Sequence, residues 1–264
     1  MLKKRIIGVV TVKNGWAVQS FGYHRYLPLG KPECLVENLD RWGADEILVQ
    51  VIDRSFDRIG PDYDLLGKLA RLGLGTPLIY GGGVRTVEDG IQVIQCGADR
   101  ITVDALLHDD LAQVVNLSKK LGAQAIIASI PITKTSDGLR WLNYRLKNTK
   151  NISIDPLGEL IEDGVVSEVL LTDWYHEGIE NSFDNSLIDL FKYKKVPLIV
   201  FGGISRVGQM KELFSIQNVM AVAVGNFLNY REHAFQQFKE LIASEALRQE
   251  TYATEYSLLT DVRN

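Results

Sequence analysis

An apolar strand ending in glycines occurs twice in this chain, as Ile79-Tyr80-Gly81-Gly82-Gly83-Val84 and as Val200-Phe201-Gly202-Gly203-Ile204, at an offset of 120 residues. At the same spacing Arg5-Ile6-Ile7-Gly8-Val9-Val10-Thr11-Val12 pairs with Ala125-Ile126-Ile127-Ala128-Ser129-Ile130-Pro131-Ile132, and at an offset of 122 residues Glu46-Ile47-Leu48-Val49-Gln50 recurs as Glu168-Val169-Leu170-Leu171-Thr172. Self-similarity at a fixed period outranks single motifs as a fold signal, since each copy must be one structural unit that buries its apolar face against the next. The unit expected here is half of a barrel.

Short β-branched runs of the kind that form buried parallel strands fall at 5–12, 46–52, 77–80, 100–103, 125–130, 167–172, 197–201 and 219–224. Amphipathic helical stretches lie between them, including Leu35, Val36, Leu39 and Trp42, and later Phe235, Phe238 and Leu241. Strand and helix alternating throughout means βαβ crossovers. A doubly wound open sheet usually carries GxGxxG after its first strand, whereas Lys13-Asn14-Gly15-Trp16 follows here. The pattern therefore predicts a closed (β/α)8 TIM barrel with a two-fold internal half-barrel repeat. Residues 1–244 are expected to form this single barrel and residues 245–264 a polar tail or extra helix. Inserts at 13–30 and 131–152 are read as equivalent loops on the catalytic face.

The chain's 264 residues match the size of one such barrel, and a net charge of −4 gives no basic field for nucleic acid. Its two cysteines, Cys34 and Cys96, form no CxxC pair, which fits a reduced compartment. The histidines lack metal-ligand spacing, so no metal or other cofactor is expected. Ile6 to Val12 is too brief for a membrane span. A cytoplasmic location is expected.

Glycines at a strand C-terminus let backbone N–H groups approach an anion, and a following helix adds its positive end. Gly82 and Gly83, with Gly202 and Gly203, supply that context twice, which suggests a ligand with a phosphate at each end.

Combined with Val12-Lys13-Asn14-Gly15, Gly43-Ala44-Asp45-Glu46, Gly97-Ala98-Asp99-Arg100 and Leu170-Leu171-Thr172-Asp173, these loops give the chain a resemblance to HisF over roughly residues 1–240. HisF is the cyclase subunit of imidazole glycerol phosphate synthase. The resemblance implies a two-phosphate ligand across the top of the barrel and ammonia delivered through it from a glutaminase docked beneath. It adds Ala105, Gly225 and Asn226 to the phosphate contacts, with Ala105, Gly225 and Asn226 all expected beside Gly82–Gly83. It also implies that Arg5, Glu46, Arg100 and Glu168 form a ring of charges gating ammonia, and that Asp99 lies at the glutaminase interface.

Where the family carries the two aspartates that act as acid and base of ring closure, this chain has Thr11 and Pro131. Neither exchanges protons near neutral pH as a carboxylate does. Gln19 replaces a usual lysine, Val51 a usual aspartate, and Tyr175-His176-Glu177-Gly178 an Asp-Arg-Asp-Gly sequence. No residue is assigned as catalytic; Asp104, Asp173 and His176 are the candidates for proton transfer. Loss of the acid–base pair with retention of the gate resembles a branch of HisF-like proteins associated with acetamidino modification of sugars in surface polysaccharides, which works with a HisH-like glutaminase and a separate sugar amidotransferase. The alternatives are a true cyclase of histidine biosynthesis using other side chains, and a non-catalytic barrel that binds a phosphorylated small molecule.

Overall fold

The computed structural model describes residues 3–136, 138–143, 148–151, 155–229 and 233–249. Its strands are β1 (Arg5–Lys13), β2 (Trp16–Phe21), β3 (Arg25–Gly30), β4 (Glu46–Val51), β5 (Leu78–Gly81), β6 (Arg100–Val103), β7 (Ile126–Thr135), β8 (Gly138–Asn143), β9 (Asn148–Asn151), β10 (Glu168–Asp173), β11 (Leu198–Phe201) and β12 (Val219–Val224). Parallel pairing runs β1–β4–β5–β6–β7–β10–β11–β12 and returns from β12 to β1, closing a (β/α)8 TIM barrel. Two of the four strand pairs that relate the halves are equal in length: β4 and β10 have six residues each, and β5 and β11 four.

Side chains alternate across each strand. Ile7, Leu48, Ile79, Ile127, Leu170, Ile199 and Ala221 point inward with Val9, Phe201 and Ala223, forming a dry inner core. The opposite faces pack on the surrounding helices in a larger outer core. Helix Val87–Gln95 shows the local logic of the crossovers. Thr86 caps it by accepting the Asp89 N–H at 3.1 Å, Asp89 returns a bond to the Thr86 N–H at 3.0 Å, and Val93 faces inward, fully buried.

The Gly-Ala-Asp motif explains itself as a strand tie. Asp45 accepts the Ile6 N–H at 2.8 Å and Asp99 accepts the Leu78 N–H at 2.7 Å, each aspartate locking the start of the preceding barrel strand. Asp45 also holds Lys239 at 2.8 Å in a buried ion pair that fixes helix Ala234–Ile242 to the barrel.

Two expectations need correction. The inserts are largely β-structure: β2 and β3 extend β1 as an antiparallel hairpin, and β8 and β9 extend β7 in the same way. Consequently Pro131 does not end its strand, which continues to Thr135. The last β6–β7 pair is Val103 with Ala128 and the β7–β8 pairs begin at Ile132, so Pro131 falls in the gap between them, where a missing N–H is tolerated. Of the tail assigned to 245–264, residues 250–264 lie outside the described residues. The described start runs back to β1, with Lys4 N–H donating to Ala246 O at 2.6 Å and Leu247 buried.

Candidate functional site

The N-terminal mouth of the barrel is closed by charge. Arg5, Glu46, Arg100 and Glu168 are the first residues of β1, β4, β6 and β10, and all four side chains turn inward there. Arg5 donates to both oxygens of Glu46 at 2.9 and 3.0 Å and to Glu168. Arg100 lies 2.6 Å from Glu168 and 3.6 Å from Glu46. Each carboxylate therefore faces both guanidinium groups. Arg100 is held further by Gln124 O at 3.1 Å and Ser167 Oγ at 2.8 Å. A lysine at this position could not make so many directed bonds, because its donors sit on one nitrogen. Burial raises the pKa of Glu46 against the opposing pull of Arg5 and Arg100.

Asp99 is exposed beside Arg100, with one oxygen committed to Leu78 N–H.

At the C-terminal mouth the two glycine loops are built alike. A Cβ on Gly82 would collide with the Val51 carbonyl, and a Cβ on Gly202 with the Asp173 carbonyl at the repeat-equivalent position. Gly82, Gly83, Gly202 and Gly203 all have positive φ, between 72° and 133°. Only glycine meets both demands without strain.

Around the first loop, Gly81 to Gly83, Gln50, Ser55, Thr102, Asp104, Ala105 and Ser129 line a small polar pocket. The placement of Gly225 and Asn226 differs from expectation. They follow β12, which lies between β11 and β1, so they belong to the Gly202–Gly203 side of the mouth. Asn226 is also engaged with the backbone of Ser20, donating to its carbonyl at 2.6 Å and accepting from its N–H at 3.2 Å. Burial raises the pKa of Asp104 well above the usual carboxylate value.

Thr11 and Pro131 sit at equivalent inward positions, opposite Gln50 and Thr172 respectively. Neither brings an ionisable group to the mouth. The structure does bring Asp173 and His176 together: His176 Nδ1 lies 2.7 Å from Asp173 Oδ2, and Asp173 is fully buried. Asp173 also accepts the Asp184 N–H at 3.0 Å and the His176 N–H at 3.4 Å. Burial raises its pKa, with these bonds opposing. With Nδ1 as donor, the tautomer leaves the Nε2 lone pair available to a ligand.

Sequence reading missed the clasp over this mouth. Glu177, buried to 3%, accepts from Ser20 Oγ at 2.9 Å, and its own carbonyl accepts the Gly22 N–H at 2.9 Å. Burial pushes its carboxyl up to about 7, opposed by bonds from Ser20 and from the Tyr23 and Gly22 N–H groups. The clasped turn sets Tyr23 against the inner core, its hydroxyl 3.3 Å from Gln50 Oε1. Since Glu177, Ser20 and Tyr23 meet only through tertiary structure, no local pattern announces them.

Among the described residues no helix is long and apolar enough to cross a membrane. The family described as "Histidine biosynthesis protein" matches residues 5–234. Two proteins named "Putative imidazole glycerol phosphate synthase subunit hisF2", from Vibrio vulnificus and Pseudomonas aeruginosa, are 28% and 25% identical to this chain over 235 and 237 residues. Those alignments cover 89% and 88% of this chain, and 86% and 94% of the relatives. The "Imidazole glycerol phosphate synthase subunit HisF" of Natranaerobius thermophilus is 27% identical over 249 residues, 94% of this chain and 98% of that protein. With a closed (β/α)8 barrel and a family match across nearly all of its strands, the chain belongs to the histidine biosynthesis protein family and is HisF-like.

Proposed function

We propose that this barrel delivers ammonia from a HisH-like glutaminase, docked at the N-terminal mouth, to a sugar amidotransferase engaged at the C-terminal mouth. The amidotransferase would form the acetamidino group of a sugar destined for surface polysaccharide. The observation that carries this reading is the complete Arg5–Glu46–Arg100–Glu168 ring below a barrel whose upper mouth lacks the acid–base pair of ring closure.

Swinging one guanidinium aside would open the ring. Beyond it, the aliphatic layer of Ile7, Leu48, Ile79, Ile127 and Leu170 admits neutral ammonia at far lower cost than ammonium, because an unpaired charge is expensive to desolvate. Higher up, Thr172 Oγ1 is buried without a hydrogen-bond partner and faces the same interior, offering a polar contact along the route. At the upper mouth, Gly82, Gly83 and Ala105 on one side and Gly202, Gly203, Gly225 and Asn226 on the other would receive the phosphate groups of a phosphorylated ligand.

The Asp173–His176 pair favours a second reading, in which a cyclase has rebuilt its proton transfer. The two readings separate when the purified chain is mixed with a HisH-like glutaminase. An ammonia-delivering barrel forms a complex with it and alters its glutamine hydrolysis without producing imidazole glycerol phosphate. Absence of a complex rejects the delivery reading, and robust imidazole glycerol phosphate synthesis favours the cyclase.

A further inference from the structure

The N-terminal face carries a second charged feature outside the ring. A cavity of about 600 Å³ opens between the segments that lead into β10 and β11, lined by Glu162, Ser167, Lys192, Lys194 and Lys195 among others. Three lysines face one glutamate there, so the lining is net positive. Its frame is stiff. Lys194 donates to Ile188 O at 2.6 Å and Asp189 O at 2.9 Å, tying the segment to the end of helix Ser186–Leu190, while Phe191 and Val196 are buried on either side of the lysines. Lys195 is exposed.

The cavity is physically connected to the ring. Ser167 in its wall accepts from Arg100 at 2.8 Å and immediately precedes Glu168. Further along the same rim, Asp99 leads into β6 as an exposed negative charge, separated from β10 by β7. The rim around the ring thus carries charges of opposite sign at two separate positions. A partner covering the face meets a requirement for an anion at one position and a cation at another, which favours one rotational setting over the rest.

We propose that the lysine cavity is the orienting contact for the glutaminase, filled by a carboxylate-bearing surface segment of that partner. This proposal rests on the ammonia-delivery reading, since it specifies how the glutaminase is held. A cavity of this size admits several side chains, and Ser167 lets its occupant bear on Arg100 of the ring. Docking and gate position are then mechanically linked through the Ser167–Arg100 bond.

The test measures binding of a purified HisH-like glutaminase to the full chain and to Lys195→Glu, at low and high salt. Charge reversal should weaken binding by about tenfold or more at low salt, with the difference shrinking as salt rises; Lys195→Arg should bind as wild type. Equal affinity of wild type and Lys195→Glu overturns the proposal while leaving ammonia delivery intact. Failure of the wild-type chain to bind any glutaminase rejects the delivery reading and the proposal together. Two other occupants would also overturn it: inorganic phosphate that displaces the partner by binding at Lys195, or a second copy of the chain whose self-association Lys195→Glu abolishes.

Discussion

Replacing Arg5 by Met should destabilise the barrel by an amount that grows with pH. The ring is neutral, with two guanidinium groups against two carboxylates. Removing Arg5 leaves a net negative charge and leaves Glu46 with Arg100 as its nearest ring cation, at 3.6 Å. Losing one partner of a buried pair costs roughly 3–5 kcal/mol when the other must stay charged. Glu46 can escape by taking a proton, and this sets a ceiling. Neutralising a carboxyl of ordinary pKa 4.5 costs about 1.4 kcal/mol for each pH unit above that value, so the ceiling is about 3.5 kcal/mol near pH 7 and about 1.4 near pH 5.5.

The sign follows from the direction of the shift. Glu46 has a raised pKa in the folded chain, and losing Arg5 raises it further. A folded carboxyl that binds its proton more tightly than the unfolded one contributes stability that is full below the unfolded pKa and is lost as pH rises through the folded pKa. Urea unfolding of wild type and Arg5→Met near pH 5.5 and near pH 7 gives the two differences directly, with Met retaining most of the apolar stem. A penalty that is the same at both pH values, or below about 0.5 kcal/mol near pH 7, would show that the ring does not couple these charges.

Glu177→Gln should flatten a different part of the stability profile. Because the folded carboxyl titrates at about 7 against an ordinary 4.5, wild type should lose on the order of 3 kcal/mol relative to the variant between about pH 4.5 and pH 8. Parallel unfolding profiles would refute this, and hydrogen exchange at Gly22 and Tyr23 would locate the loosening in the hairpin. With saturating ammonia, the purified chain should convert the bisphosphate substrate of the cyclase at least about 10²-fold more slowly than a true cyclase, the lower end of what general acid–base catalysis contributes. Comparable rates that fall on His176→Gln would show instead that the Asp173–His176 pair has taken over proton transfer.

The repeat carried most of the architecture because short apolar runs between glycine turns have few ways to be buried except as barrel strands. The ring was expected from the family resemblance, and the structure gives its physical basis: Arg5, Glu46, Arg100 and Glu168 each open a barrel strand and meet as ion pairs at the N-terminal mouth. Gly225 and Asn226 were placed beside the wrong glycine loop because barrel closure sets β12 next to β1 and β11, away from β5. The apolar run pointed to a strand end before Pro131, yet pairing with β8 carries β7 on to Thr135. The Asp173–His176 contact and the Glu177 clasp depend on how the segment after β10 turns back over the mouth. Spacing alone does not report that turn.

The most direct test follows nitrogen through the barrel in a reconstituted system of this chain, the glutaminase and the amidotransferase. Glutamine carrying heavy amide nitrogen is supplied together with an equal concentration of unlabelled ammonium salt. Passage through the Arg5–Glu46–Arg100–Glu168 ring should yield a product enriched in the heavy isotope well beyond the bulk ratio, with Arg5→Met moving the product toward that ratio. A wild-type product whose isotope content equals that of the bulk ammonia pool would contradict delivery through the barrel.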